Sequence, residues 1–432
     1  MDFISRIDAE SDDQVMKTIK NEYGYMLQIG ALFPNLRPSW RFLSIIQTLF
    51  YITITVYHFF MLMYTTAINY KDLNSASQTL HYAALLLITI AILLSFPLNR
   101  PVFVHMIRIV GNNYYTYSDG LRSDLVDKWN KDNKKNKIVF LLLVPIYLFF
   151  CAISLMFITP MIDSYQGFTV NEDYIDNLYT KLPVKVWYPY TIDNNIKHMI
   201  TLMLQISSAV VAAAVISCAD LLMLFISQGI AVQLQILRHS IQNLETRAEM
   251  LYEKLYKNGP TLKKKLRYSN ELYMKMINLC IKENVQHHKI ILSAFNDWYL
   301  LQKWPMVFGI LEGSLIIALS ILGYLLGEAR FGSQLLSLLL LFAEIANMAL
   351  FCGVGQQMTN LNEEIVEEWY NLNWMRWNKS CKLSLLIVKE RFKVPLELKA
   401  GGLKALNRDT LGSILNGAYS YFNLIYAYIG EH

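Results

Sequence analysis

The amino-acid sequence predicts an all-α integral membrane protein with seven transmembrane helices and long cytosolic helical extensions. Of its 432 residues, 54% are hydrophobic and only 17% are charged, whereas soluble domains carry about 25% charged residues. Apolar runs alternate with basic segments, and about 20 apolar residues suffice to cross a ~30 Å hydrocarbon core as a helix. The alternating pattern that is typical of a transmembrane β-strand is missing. These observations together favour a polytopic helical protein.

Seven apolar segments are the candidate spans. In chain order they cover residues 42–68, 79–98, 138–160, 198–226, 305–327, 333–356 and 408–429. Helices fit these segments because every backbone polar group in lipid must find its partner within the segment. Pro145 interrupts the third span, which is tolerable if neighbouring helices or waters bind the freed carbonyl group.

The distribution of lysine and arginine predicts the orientation of the chain. The segments before span one, between spans two and three, between four and five, and between six and seven hold 33 of the 39 basic residues. We therefore expect a cytosolic N-terminus and an extracellular C-terminus. The first residues lack a signal-peptide-like apolar segment, so internal helices are expected to direct insertion. The net charge of +5 comes from these loops and does not indicate nucleic-acid binding.

Two classes of protein fit the sequence poorly. A G-protein-coupled receptor has the opposite orientation, and its Asp-Arg-Tyr and Asn-Pro-x-x-Tyr motifs are missing after span three and in span seven. An enzyme would need a catalytic constellation, and the sequence has no Ser-His-Asp arrangement, metal-ligand cluster or phosphate-binding loop. We therefore expect a membrane protein that is not an enzyme and that needs no cofactor.

The basic segments and the apolar spans divide the chain into six parts. They are a cytosolic N-terminal segment (1–41), spans one to four (42–226), a first cytosolic extension (227–303), spans five and six (304–357), a second extension (358–406) and the last helix (407–432). The first extension predicts one helix that continues from span four without a break, then Asn258-Gly259-Pro260, then a helix from Leu262 to Trp304. Each helix has an apolar stripe to bury. The stripes either pack within one subunit or join subunits, and periodicity does not distinguish these two arrangements.

Short motifs follow from the end of span six to the last helix. They are Phe351-Cys352-Gly353-Val354-Gly355, Glu367-Glu368-Trp369-Tyr370 with Trp374, Leu385-Leu386-Ile387 with Ala400-Gly401-Gly402, Ser413-Ile414-Leu415 and Ala418-Tyr419-Ser420-Tyr421-Phe422. This set resembles the closing region of the insect odorant receptor family, over about the last 85 residues. The seven-span layout with a cytosolic N-terminus is similar to that family over the whole chain.

The resemblance implies an odorant-gated, non-selective cation channel. It implies a tetramer with one central pore lined by the last helix, an odorant site in the outer half of the bundle of spans one to six, and cytosolic extensions that hold the subunit contacts. Most members of the family are tuning subunits that assemble with a shared co-receptor subunit in the plasma membrane of sensory-neuron dendrites. The run Ser420-Tyr421-Phe422-Asn423 departs from the co-receptor's closing pattern, so this chain resembles a tuning subunit. A homotetramer stays open.

One face of span seven is the predicted pore lining. The pore residues expected from the resemblance are Ser413, Asn416, Ser420, Leu424, Ala427 and Tyr428, with Gly417 as an alternative to Asn416. Its position in the matched motif makes Leu424 the predicted gate, and an apolar constriction can close a water-filled path by dewetting. Judged from the residues alone, the serines and asparagines equally suit hydrogen bonds between helices, and the tyrosines suit an aromatic belt.

The predicted ligand site lies in the outward halves of spans two to five. Its residues are His81, Tyr82, Leu85, Phe150, Ser154, Phe157, Met199, Leu202, Met203, Ile206, Ser320 and Tyr324. An odorant pocket should be mostly apolar and aromatic with a few polar groups, and methionine adapts to varied shapes. The set predicts a small, volatile, largely apolar ligand. Ordinary helix packing is the alternative role for each residue.

Four ionisable residues lie within the spans: His58, Asp220, Glu312 and Glu344. Such groups are costly in lipid and face a bundle interior or water. They either bond to a neighbouring helix or lie near the cytosolic boundary, as expected for Asp220 and Glu312, or they serve as proton or ion relays. Glu344 is the deepest and the least explained. Two alternatives to a channel therefore stay open: an inverted seven-helix receptor that does not conduct, and a transporter that uses Glu344.

Overall fold

The structure is a computed structural model, and it describes most of the chain. The described residues are 24–32, 38–70, 73–111, 114–119, 121, 124–153, 158, 161–162, 182–255, 270–326, 331–402 and 404–430. Within these ranges the regular structure is helical apart from one short two-stranded ribbon.

Eleven α-helices and the ribbon follow one another along the described residues. The elements are α1 (Gly24–Ile29), α2 (Pro38–Ile68), α3 (Leu73–Leu98), α4 (Arg100–Gly111), α5 (Asp124–Ile153), α6 (Asn195–Gln242), α7 (Leu244–Leu255), α8 (Glu271–Leu326), α9 (Phe331–Asn371), a 3₁₀ turn (Trp374–Arg376), α10 (Lys379–Phe392), β1 (Lys399–Ala400), β2 (Lys404–Ala405) and α11 (Arg408–Gly430).

Five helices in the described part of the chain are long and apolar enough to cross a membrane. These stretches are Phe42–Ile68, Ala76–Leu98, Asn195–Gln242, Glu271–Leu325 and Ser337–Asn371. They contain the predicted spans one, two and four and most of spans five and six. Most of residues 154–160 at the end of predicted span three lie outside the described ranges. Helix α11, which corresponds to predicted span seven, is not among the five stretches and is rich in serine, asparagine and tyrosine. The count of seven membrane spans and the orientation of the two termini stay predictions.

Helix α8 is the central element of the fold. It has 56 residues and, at 1.5 Å per residue, is about 84 Å long. It packs against α3, α4, α6, α7, α9, α10 and α11. Pro305 lies inside it, so the predicted boundary between the extension and span five is not a helix end. Pro145 likewise lies inside a helix, α5, and does not end it.

The first cytosolic extension differs from its prediction at one point. The helix that continues span four ends at Gln242, and α7 starts two residues later. Asn243 lies between them, and its side-chain Nδ2 and backbone N–H both donate to the His239 carbonyl oxygen. This local bonding ends the helix, because asparagine competes for backbone partners in this way. The predicted break at 258–260 lies outside the described residues.

The extensions pack on one another within a single chain. The second half of α6 with α7, the first half of α8, the end of α9 and α10 share one apolar core. Its largest fully buried side chains include Trp298, Trp369, Tyr273 and Phe392. The apolar stripes are therefore partly used inside the subunit. Leu383, Leu386 and Ile387 of α10 remain more than half exposed.

A buried ionic network holds the loop before α5 against the first extension. Arg247 Nε donates to Asp119 Oδ2 at 2.6 Å, and its Nη2 donates to Glu283 Oε2 at 2.5 Å. The guanidinium group also lies 4.4 Å from the centre of the Tyr117 ring, and the Tyr117 hydroxyl is 2.7 Å from His287 Nδ1. The Arg247 side chain is fully buried, so its charge depends on these carboxylate partners in place of water.

The ribbon sets the entry into the last helix. Lys399 pairs with Ala405 and Ala400 with Lys404 in antiparallel register. The turn between them uses Gly401 (φ +59°) and Gly402 (φ +80°), conformations that residues with a Cβ rarely adopt. This explains the two adjacent glycines of the motif that includes Ala400, and it places α11 against the end of α9.

Candidate ligand cavity and last helix

A cavity of about 450 Å³ lies among α2, α3, α6, α8, α9 and the segment 182–194. Ligand pockets for small molecules span roughly 300–1,000 Å³, so its size suits a small ligand. The cavity is elongated. Along α6 it extends from Gln205 to Leu224, which is about 28 Å at 1.5 Å per residue. It therefore reaches beyond the outer half of the bundle in which a ligand was predicted.

The walls of the cavity are mostly apolar. Residues that provide this surface include Leu62, Leu85, Ile88, Ile92, Val184 and Ile216. Val184 belongs to the segment before α6, which several hydrogen bonds hold in place. Gln205 Nε2 donates to the Val184 carbonyl oxygen at 2.8 Å, and the backbone N–H of Trp187 donates to Thr65 Oγ1 at 2.8 Å. The segment thus closes one end of the cavity against α2 and α6.

Two buried histidines line the same cavity. His58 Nδ1 lies 3.0 Å from the Ile54 carbonyl oxygen, which can only accept, so Nδ1 carries the proton and Nε2 is an acceptor in the neutral ring. His81 Nδ1 is 3.5 Å from Ser320 Oγ. The Nε2 atoms of both rings are buried without a hydrogen-bond partner. Each histidine thus has polar capacity left over for a ligand.

The structure brings together some of the predicted ligand residues and separates others. His81, Tyr82 and Leu85 line the cavity, and Ser320 lies behind His81. Leu202 and Ile206 are half-buried without lining it. The side chains at an exposed surface instead are Phe150, Met199, Met203 and Tyr324. Ser154 and Phe157 lie outside the described residues.

Several lining residues were missed by the ligand-site prediction. On α6 they recur at helical spacing: Gln205, Ser208, Ala212, Ile216 and Asp220. A stripe of polar and small residues within an otherwise apolar span was the available signal, because lipid-facing positions are uniformly apolar. Asp220 and Glu344, which the sequence marked only as ionisable residues within spans, both line the cavity.

The last helix presents two unlike faces. Ile414 and Ala418 are buried against α8 and α9, and a Cβ atom on Gly417 would lie 3.3 Å from Ser314 Oγ of α8. The predicted pore residues with described side chains all lie on the exposed face: Ser413, Asn416, Ser420, Leu424 and Ala427. Leu424 is 70% exposed. Tyr428 belongs to α11, but its side chain lies outside the described part.

Comparisons with known proteins point to one family and one fold. The family model described as "7tm Odorant receptor" matches residues 72–419. No curated protein matches the chain. The solved structure of the insect olfactory receptor OR5 from Machilis hrabei in complex with eugenol superposes with a TM-score of 0.70 at 13% identity, covering 96% of this chain and 100% of that one. A second solved structure of the insect olfactory receptor OR5 from Machilis hrabei gives a TM-score of 0.69 at 12% identity, covering 96% of this chain and 99% of that one. At this identity the likeness concerns the fold.

Proposed function

Because the chain belongs to the 7tm odorant receptor family, we propose that it is an odorant-binding subunit of a ligand-gated, non-selective cation channel. The observation that carries this proposal is the largely apolar cavity of about 450 Å³, whose walls include α8 and α9. The same two helices also pack against α11. The chain is a multi-pass membrane receptor and not an enzyme.

The ligand is a small, largely apolar volatile molecule. The Machilis hrabei receptor was solved with eugenol, which is a compact aromatic odorant. The cavity of this chain offers an apolar surface for such a body and a few polar groups, His58 and His81 among them, to orient it. This balance is typical of small-molecule sites.

Channel opening follows from unequal binding to two states. A ligand shifts a conformational equilibrium only as far as it binds one state more tightly than the other. In the proposed mechanism the odorant favours a state in which α11 moves outward from the pore axis and the constriction at Leu424 wets. The exposed stripe from Ser413 to Ala427 supports this role, because a conducting path needs polar lining and a dewettable gate.

Assembly is proposed to be a heterotetramer with a co-receptor subunit, and a homotetramer is the alternative. The exposed apolar residues of α10, Leu383, Leu386 and Ile387, lie in the predicted cytosolic extension, where lipid does not cover them. Exposed apolar patches of this kind mark interaction surfaces. The plasma membrane of sensory-neuron dendrites is the proposed location.

The test is expression in cultured cells with and without an insect co-receptor subunit, followed by whole-cell recording during exposure to eugenol and other volatiles. We expect an odorant-evoked cation current that does not discriminate sodium from potassium and that requires the co-receptor. Current from this chain alone would support the homotetramer. Saturable substrate uptake without channel-like current would support a transporter, and odorant binding without current in either setting would support a non-conducting receptor.

A further inference from the structure

Glu344 is an unusual residue in the wall of the cavity. It lies on α9, is only 7% exposed and lines the cavity. Its Oε1 atom is buried without a hydrogen-bond partner. A buried carboxyl group without a partner is costly, so its presence needs a reason beyond packing. Among the described residues that line the cavity, none is a lysine or an arginine.

The crossing of α8 and α9 fixes the position of this carboxyl group. Gly309 and Gly313 are four residues apart on α8, a spacing that lets two membrane helices approach closely. A Cβ atom on Gly313 would lie 3.1 Å from Met348 Sδ and 3.2 Å from Glu344 Oε1. The glycine therefore leaves the space into which the carboxyl group fits. Glu344 is thereby held at the crossing, in the wall of the cavity.

Two further carboxyl groups lie in the same part of the bundle. Asp220 of α6 lines the cavity. Glu312, next to Gly313 in α8, is 8% exposed, and both its carboxyl oxygens are buried without a partner. Three helices thus bring three acidic side chains toward one region that has no basic side chain in its described lining. In a medium of low dielectric constant an ionised carboxylate at this site attracts positive charge strongly.

We propose that the cavity binds a ligand with a basic nitrogen, an apolar aliphatic or aromatic amine whose nitrogen lies against Glu344. The proposal rests on the proposed function, since it names the ligand class of the same cavity. The carboxyl group and the amine hold one proton between an oxygen and the nitrogen, whichever partner brings it. The apolar body of the amine packs on the wall that includes Leu85 and Ile88.

The unpaired acceptor atoms in the cavity wall also favour a ligand that donates hydrogen bonds. His58 Nε2 is an acceptor, because Nδ1 already donates to a carbonyl oxygen. An ionised carboxylate is also an acceptor only. Esters, ketones and aldehydes offer acceptors alone and leave His58 Nε2 unsatisfied. A protonated amine offers N–H donors together with a positive charge, and the described lining of the cavity has no lysine or arginine to provide one.

The test is direct binding to the purified full chain in lipid nanodiscs, with three probes that share one body: phenethylamine, phenethyl alcohol and ethylbenzene. Affinity is measured by tryptophan fluorescence and by the shift in thermal unfolding. We expect phenethylamine to bind at least about ten-fold more tightly than phenethyl alcohol, as a charge-assisted hydrogen bond is stronger than a neutral one. Glu344→Gln should remove this preference and change the affinity for the alcohol by less than about two-fold.

Two further variants keep the test decisive. Glu363→Gln changes an exposed carboxylate on the same helix and should leave all three affinities unchanged. Asp220→Asn tests the same charge from α6 if Glu344→Gln does not fold. An equal loss of amine and alcohol affinity in Glu344→Gln, or no amine preference in the unaltered chain, would overturn the amine proposal while leaving the proposed odorant cavity intact. Failure of all three probes to bind would count against both.

Discussion

The hydroxyl group of Ser95 in α3 donates a 2.6 Å hydrogen bond to the carbonyl oxygen of Leu301 in α8. Leu301 is four residues before Pro305, and proline has no N–H with which to bind that carbonyl. A neighbouring helix thus supplies the donor that the proline lacks. This is how α8 continues through Pro305 in an environment where every backbone group needs a partner.

Removing this donor should destabilise the bundle. We expect Ser95→Ala to lower the free energy of unfolding by about 1–2 kcal/mol, since it leaves the Leu301 carbonyl without a partner. Ser207→Ala is the control, because its hydroxyl donates within α6 to the Leu204 carbonyl, which keeps its helical partner. The measurement is thermal unfolding in nanodiscs. Equal effects of the two substitutions would show that the bond to Leu301 contributes nothing specific.

Two glycines of the motif at the end of span six should respond differently to alanine. A Cβ atom on Gly355 would overlap the backbone carbonyl of Leu406, whereas a Cβ atom on Gly353 would meet nothing within 4 Å. We expect Gly355→Ala to destabilise the chain by about 1–3 kcal/mol or more. Gly353→Ala should be neutral or stabilising by up to about 1 kcal/mol, because alanine is the better helix former. Surface expression and thermal unfolding of both variants provide the comparison.

Arg247 and Arg238 form a matched pair that tests how burial changes the contribution of an arginine–carboxylate ion pair to stability. Both bind two carboxylates, but Arg247 is fully buried and Arg238 is 36% exposed. We expect Arg247→Met to cost about 3–5 kcal/mol, because Asp119 and Glu283 lose their partner. Arg238→Met should cost about 1 kcal/mol or less, as is usual for exposed pairs. Denaturant unfolding of the two variants gives the difference, and a similar cost for both would contradict the burial argument.

Filling the cavity should weaken the odorant response. Leu85 lines the cavity and Met203 is exposed, although the sequence predicted both as ligand residues. Leu85→Trp should overpack the site and weaken the free energy of odorant binding by about 1–3 kcal/mol. This corresponds to a loss of potency of roughly 5–150-fold. Met203→Trp should leave potency unchanged. Dose–response curves of odorant-evoked current test this, and the reverse ranking would place the ligand outside the cavity.

The last helix is tested at its predicted gate. Leu424→Ala should raise basal current or alter ion selectivity, because a smaller side chain widens a dewettable constriction. Leu94→Ala is the control, as Leu94 is similarly apolar and is exposed on α3. Recordings without odorant measure basal current, and reversal potentials measure selectivity. Unchanged conductance, selectivity and basal current in Leu424→Ala would show that the exposed face of α11 does not line the pore.

The sequence predicted the fold class and the family, and both are confirmed. Hydropathy locates spans well because backbone groups in lipid must be satisfied within each helix. The family motifs also had physical content, as the positive φ angles of Gly401 and Gly402 and the close approach at Gly355 show. These constraints are local in sequence, so residue identity reports them directly.

The ligand-site residues were harder to predict because lipid and an odorant cavity are both apolar. In a soluble protein an apolar side chain usually faces inward, but Met199 and Met203 face outward from α6. The inward side of that helix is marked instead by Gln205, Ser208 and Asp220. The segment at 182–194 contributes Val184 through contacts that are distant in sequence, and no periodicity reports those.

Helix α8 contributes to the cavity through Pro305, Met306 and Gly309, contacts the last helix through Ser314 and extends into the apolar core of the two extensions at Trp298. This one helix therefore makes contacts at three levels of the fold. A tilt of about 5° displaces one end of a rod of about 84 Å by about 7 Å relative to the other. In the proposed mechanism, a small change of tilt at the cavity would therefore displace the far end of α8 by several ångströms.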